Sequence, residues 1–163
     1  MENNLLENII FRKLNENDKE LFVNLRISFI MDCFNKNINE IDKKEIENSL
    51  NSYFIKHIRQ NDFIGIVGEY NGNIVSVIYL IIEDYPANPN LINGKKGTIL
   101  NVFTFPEYRK KRIAKKILSE IIKEAKLNGI KSIELKATND GYELYKGVGF
   151  IDDNDYKNMI LKL

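Results

Sequence analysis

The chain has 163 residues, 44% hydrophobic and 29% charged, the balance of a folded domain with a real core and not of a disordered segment. Lys and Arg total 24 against 23 Asp and Glu, a net charge of +1. That is too little for a whole-protein field that gathers nucleic acid or a membrane surface, so any anion site has to be local. The single cysteine, Cys33, permits no internal disulfide and suits a reducing cytosol. The opening residues lack the pattern of a signal peptide, and no apolar run approaches the ~20 residues that cross a bilayer. A cytoplasmic protein with neither a membrane nor a nucleic-acid partner is expected.

In chain order, residues 9–11 read as a short strand. Asn17 with Glu20 resembles a capping box, and Leu21, Phe22, Leu25 and Phe29 then recur at helical spacing as far as Phe34. Asp42 with Glu45 makes a second box, followed by Ile46, Leu50, Phe54 and Ile58 on one stripe. Residues 63–67 and 74–82 are β-rich and flank Asn71-Gly72, a two-residue hairpin signal. A loop over 84–97 is marked by Pro86, Pro89 and Gly94, and a strand over 98–105 is stopped by Pro106. Ile113, Ile117 and Ile121 start the clearest helix, which Asn128-Gly129 ends. A strand over 130–137, a short helix capped by Thr138 and reaching Gly147, and a last strand over 159–163 complete the order. No repeat or linker interrupts it. The expectation is one layered α/β (α+β) domain over 1–163.

The chemistry concentrates at 106–114. A strand runs through Pro106 into the longest helix, and the cations Arg109, Lys110, Lys111 and Arg112 stand together at the helix opening. A helix start presents unpaired N–H groups and positive dipole charge. Cations are unfavourable there unless an anion neutralises them, so the arrangement asks for a phosphate-rich ligand. A charge run simply solvated by water is the alternative.

The stretch from Leu100 through Phe103-Thr104-Phe105-Pro106-Glu107-Tyr108-Arg109 to Ala114 resembles the acetyl-CoA segment of the GNAT superfamily of N-acetyltransferases. That family carries Arg/Gln-x-x-Gly-x-Gly/Ala at a loop-to-helix junction, and Arg109 and Ala114 match its ends. A second segment, Leu135-Lys136-Ala137-Thr138-Asn139-Asp140-Gly141-Tyr142-Glu143-Leu144-Tyr145-Lys146-Gly147-Val148-Gly149-Phe150, is similar to a further signature of that family. The chain departs from the pattern at Arg112, where the family usually has Gly, and at Lys110, where Gly is frequent. Arginine can hold helical dihedrals that leave the amides pointing inward; its Cβ then either crowds the ligand, or Arg112 instead adds a charge-assisted contact to phosphate.

The resemblance implies a central mixed, mostly antiparallel sheet of six to seven strands, splayed in the middle, with about four flanking helices. It implies acetyl-CoA as cosubstrate, with no metal, and a small-molecule or peptide amine as acceptor. The backbone of Val102, Phe103 and Thr104 would pair with the pantetheine arm. Amides over Arg109, Lys110, Lys111, Arg112, Ile113 and Ala114 would hold the pyrophosphate, and Thr138 and Gly141 would line the far side. Transfer would be direct, with a backbone N–H near Phe103 stabilising the carbonyl oxygen. Tyr145 matches the tyrosine that protonates the leaving thiolate, and its phenol, with a pKa of about 10, is neutral at pH 7. The base stays open. Asn101 is a candidate to orient water or the amine, while Asp32, Glu83 and Asp84 are candidates to draw a cationic substrate, and a water relay is the other route.

Other chemistries lack local support. Cys33 has no evident partner base, and the one histidine, His57, flanks an apolar stripe and reads as structural. One His and one Cys do not make a zinc site of the usual types. No phosphate-binding P-loop or dinucleotide fingerprint occurs. The acceptor would be set by 21–58 and 84–97, which carry no decodable motif. The competing function is a GNAT-like module that binds acyl-CoA without catalysis, and a homodimer is compatible with either.

Overall fold

The computed structural model describes residues 2–34, 39–154 and 159–163; the side chain of Cys33 lies outside the described part. The elements are α1 (Glu2–Glu7), β1 (Ile10–Lys13), α2 (Lys19–Phe34), α3 (Glu40–Gln60), β2 (Phe63–Tyr70), β3 (Asn73–Asp84), β4 (Lys95–Thr104), α4 (Ile113–Leu127), β5 (Ser132–Glu134) and α5 (Asn139–Lys146). The strands lie in the order β1-β2-β3-β4-β5. All neighbours are antiparallel except β4 and β5, which run parallel.

The β2–β3 hairpin turns where Asn71-Gly72 predicts. Both residues take positive φ, 50° and 76°, the conformation whose twist matches the flanking strands. The caps fall elsewhere than expected. Asn15 and Asp18, not Asn17 and Glu20, form the reciprocal box, because Asn17 already lies within the 3₁₀ turn leading into α2. Asn39, not Asp42, caps α3: its Oδ1 accepts the Asp42 N–H at 2.9 Å. Asp42 is itself one of the opening residues whose amide needs a partner.

The loop between β3 and β4 is shorter than 84–97, since Asp84 still pairs with Lys95. The Tyr85 N–H donates to the Gly94 carbonyl at 2.7 Å. A Cβ on Gly94 would run into the Tyr85 carbonyl, which is why glycine stands there. The described sheet has five strands, not six to seven. β5 is only three residues long, because β4 diverges from it and leaves Leu135 onward without a strand partner. Residues 159–163, expected as a strand, are exposed and join no ladder among the described residues.

Two apolar layers sandwich the sheet. On one face Ile64, Ile66, Ile78, Leu80 and Ile99 pack with Ile113, Ile117, Leu118 and Ile121 of α4. On the other, Phe63, Val67, Val77, Tyr79 and Phe103 pack with Phe22 and Leu25 of α2 and Phe54 of α3. Phe22 anchors the second layer, with ring centroids 4.9 Å from Phe54 and 5.0 Å from Tyr79.

Side chains alternate faces along a regular strand, so Ile99 and Phe103 should share one. They do not, because a bulge intervenes: Tyr79 pairs with Leu100, but Val77 pairs with Phe103. The extra residue flips the remainder of β4 to the opposite face.

Asp18 ties β1 to this frame. Its carboxylate accepts two bonds of 2.9 Å from the Arg12 guanidinium and one of 2.8 Å from the Asn15 N–H. Burial alone would raise its pKa, but these donors outweigh burial and hold the carboxyl below the usual aspartate value. The bound carboxylate therefore stabilises the fold above the ordinary aspartate range of about 4, and the contribution is lost as pH falls through the lowered folded value. Asp18→Asn should flatten that part of the acid limb of a melting-temperature-versus-pH curve. An acid limb identical to wild type would refute the assignment.

Candidate active site

The site grows from the β4 bulge. β4 pairs with β5 only at Lys96, Gly97 and Thr98; beyond Thr98 the two strands separate. Asn101 sits in the bulge at φ 54°, a left-handed conformation that asparagine takes more readily than most residues.

The Phe105 N–H donates to Val75 of β3 at 3.0 Å. By the alternation of an antiparallel ladder, Phe103 also faces β3, while Val102 and Thr104 turn their backbone groups to the gap side. Ser76, fully buried, secures this turn of β4: its hydroxyl donates to the Phe103 carbonyl at 3.0 Å and lies 2.8 Å from the Thr104 hydroxyl.

After Thr104 comes a 3₁₀ turn over Pro106–Tyr108 and then the cation run. Arg109 points back: Nε donates to the Thr104 carbonyl at 2.9 Å, and Nη2 pairs with Asp32 at 2.6 Å. Lys111 donates to the Glu107 carbonyl at 2.7 Å and lies over the Tyr108 ring. Lys110 and Arg112 are exposed.

The expectation for Arg112 needs correction. It is not helical but left-handed, φ 62° and ψ 8°, as the N-cap of α4, and Lys110 is left-handed too, at φ 61°. Left-handed residues alternating with ordinary ones turn successive amides toward one concavity, a nest for anions. The first bond of α4 here runs from the Lys116 N–H to the Arg112 carbonyl at 3.1 Å, which leaves the amides of Ile113, Ala114 and Lys115 without intrahelical acceptors. No acidic residue occupies the first turn of α4 and no side chain caps it. Ile113 is buried in the core and fixes the start of the helix.

Tyr145, on α5, is 8% exposed. Its ring lies edge-on to Phe150 with centroids 6.0 Å apart. It also passes so close to Gly141 that a Cβ there would approach Cε2 to 2.8 Å. Thr138 caps α5, its hydroxyl accepting the Gly141 N–H at 3.3 Å. Tyr145 stands in the wall of a cleft of 780 Å³ along β5, with Leu135, Ala137 and Tyr142; none of residues 109–114 lines that cleft.

Of the acidic candidates, Asp32 is drawn into the pair with Arg109, and Glu83 accepts the Thr98 hydroxyl at 2.6 Å. Asp84 is exposed at the end of β3.

Asn101 is 4% exposed, and its Oδ1 accepts Nη1 of Arg26 at 3.0 Å. Sequence reasoning missed Arg26. Its signal was a cation set between Leu25 and Phe29, beside the apolar stripe of α2. Nearby, burial raises the Tyr53 phenol, as do the charges of Asp62 and Glu83, while Arg26 opposes them. Burial raises Tyr79 far more, again against Arg26. His57 packs on Tyr53 and meets Asp62 at 2.9 Å. Among the described residues no cluster of His, Cys, Asp and Glu is placed to hold a metal, and no helix is long and apolar enough to cross a membrane.

A mixed sheet that opens past a bulge in its fourth strand, with a nest of amides where that strand passes into a long helix, defines an acetyltransferase fold. The chain belongs to the acetyltransferase (GNAT) family, which matches residues 28–150. A predicted acetyltransferase with acetyl-CoA from Clostridium acetobutylicum is 28% identical, with a TM-score of 0.81 over 93% of this chain and 96% of that one. A GCN5-related N-acetyltransferase from Ralstonia eutropha shares the fold at 22% identity and a TM-score of 0.76, covering 93% and 98%. So does an aminoglycoside acetyltransferase from an uncultured soil metagenomic sample in complex with sisomicin, at 15% identity and a TM-score of 0.74, covering 98% and 99%. No curated protein matches the sequence.

Proposed function

We propose that the protein transfers the acetyl group of acetyl-CoA to a primary amine of a small molecule or peptide in the cytoplasm, by direct attack within one ternary complex. The observation that carries this reading is the nest at Lys110 and Arg112, left-handed at both residues, where β4 passes through the 3₁₀ turn into α4. Its unpaired amides fit a diphosphate.

In this reading the amides over Lys110, Lys111, Arg112, Ile113 and Ala114 grip the pyrophosphate; the Arg109 N–H, expected among them, instead donates to the Pro106 carbonyl at 3.2 Å. Val102 and Thr104 offer strand backbone to the pantetheine arm, Phe103 between them being paired to β3, and Thr138 and Gly141 form the opposite wall. When bound, acetyl-CoA supplies an activated thioester. The amine nitrogen bonds to the carbonyl carbon and gives up its proton through an ordered-water relay to solvent as the C–S bond breaks, while a backbone N–H near Phe103 stabilises the carbonyl oxygen as charge develops. Asn101 orients the reacting groups, and Tyr145 gives its proton to the departing sulfur. Asp32, Glu83 and Asp84 lend negative charge to the rim that a cationic amine approaches. The protein works without a metal, nucleic acid or membrane partner, and as a monomer or homodimer.

Calorimetry with acetyl-CoA, followed by thiol release with spermidine, kanamycin, lysine and a peptide amine, tests the proposal. Saturable binding with amine-dependent release is expected; a folded protein that takes up no acetyl-CoA refutes it. A second reading, an acyl-CoA-binding module without turnover, is favoured by one observation: side chains stand at both positions of the nest where the family favours glycine. Binding with no thiol release for any of these amines supports that module.

A further inference from the structure

The buried side of the β4 bulge holds a polar pair that the fold alone does not account for. Asn101 accepts from Arg26 through Oδ1, while its Nδ2 is buried with no hydrogen-bond partner. A guanidinium carries only donors. The amide oxygen must therefore face Arg26, and this fixes the flip of the whole side chain with its NH2 turned away. A buried donor without an acceptor is disfavoured, and native folds seldom keep one without a use. An amide nitrogen is not a base, so Asn101 cannot take the proton of the amine; it can only donate.

Arg26 is itself held in place. Its guanidinium lies over the Phe29 ring, 5.0 Å from the centroid and one helical turn along α2. Phe29 meets Phe103 edge-on at 6.4 Å, and Phe103 follows Asn101 on β4. The contacts form a closed ring, α2 through Arg26 and Phe29 and β4 through Asn101 and Phe103. One of its members, Asn101, is the left-handed residue just past the last pairing of β4 with β5 at Thr98.

We propose that Arg26 is the positioning residue of the transfer site: by pinning Oδ1 it holds Nδ2 of Asn101 as a fixed donor to an oxygen that enters beside the bulge. That oxygen is the thioester carbonyl or an ordered water. The inference rests on the acetyl-transfer reading and assigns Asn101 to donation only.

Side-chain amide NMR and infrared spectroscopy test it on the full chain. In wild type the Asn101 NH2 should give two resolved, slowly exchanging proton signals. Arg26→Met should move them to the positions of a free amide, and Arg26→Lys, which keeps one donor, should retain part of the protection. With carbonyl-labelled acetyl-CoA, a bound carbonyl band shifted to lower frequency in wild type but not in Asn101→Ala identifies the thioester oxygen. An unshifted band with protected NH2 signals identifies water. For any amine that turns over, Arg26→Met and Asn101→Ala should each lower kcat about 10- to 100-fold, the scale of one hydrogen bond to a charged or charging group. The double variant should be no worse than either single one, with acetyl-CoA affinity unchanged. Asn101 signals indifferent to Arg26→Met, or losses that add in the double variant, overturn the proposal. Loss of the acetyl-transfer reading is seen separately, as wild-type protein that binds no acetyl-CoA.

Discussion

Tyr145→Phe is expected to lower turnover by about 10²- to 10⁴-fold, the range for removing a general acid, with acetyl-CoA affinity within about twofold of wild type. The substitution deletes one hydroxyl and keeps the ring, which packs edge-on to Phe150 and close over Gly141. A variant that melts near the wild-type temperature makes the loss of rate chemical. Burial suits the assignment: Tyr145 stands in a wall largely screened from water. Stopped-flow thiol release with saturating acetyl-CoA measures the effect. Because the proton goes to the leaving thiolate, the defect should shrink with acyl donors whose thiol is more acidic. Full turnover in Tyr145→Phe would remove Tyr145 from the mechanism and leave it a packing residue of α5.

Gly141 offers a control on the same geometry. Its Cβ in Gly141→Ala would press on the Tyr145 ring, so kcat should fall although the hydroxyl remains.

Much of the fold was legible because its signals are local. The Asn71-Gly72 turn, the Ile113-Ile117-Ile121 stripe and Thr138 as a cap need no knowledge of distant contacts, and each appears where its residues place it. The caps of α2 and α3 were misplaced because Asn and Asp cluster there, and only the backbone decides which one stands outside the helix. The bulge in β4 left no mark on the sequence. It follows from how Tyr79 and Val77 pair across to Leu100 and Phe103, a non-local choice. Arg26 was overlooked for the same reason, since its meaning depends on Asn101, 75 residues away. The short β5 has a similar cause, for its length is set by where β4 leaves it and not by its own β-rich residues.

The helical backbone expected of Arg112 was the costliest misreading, and the left-handed backbone found there and at Lys110 yields the other large prediction. A non-glycine residue in that region is strained by roughly 1–3 kcal/mol, and glycine relieves the strain at some cost in unfolded-chain entropy. The double variant Lys110→Gly, Arg112→Gly should thus stabilise the fold by about 1–2 kcal/mol net. The wild-type chain keeps cations at both positions, exposed and beside amides that themselves lack acceptors. If those cations serve the phosphates, each charge-assisted bond contributes about 1.5–3 kcal/mol. With both removed, acetyl-CoA affinity should then fall by about 10²- to 10⁴-fold, and the salt dependence of binding should weaken with it. Thermal melting and calorimetry on one preparation read both quantities. A variant that melts higher and binds tighter would mean that the two side chains only crowd the nest. In that case the strain at these two residues has no functional return, and the case for a binding module without turnover strengthens.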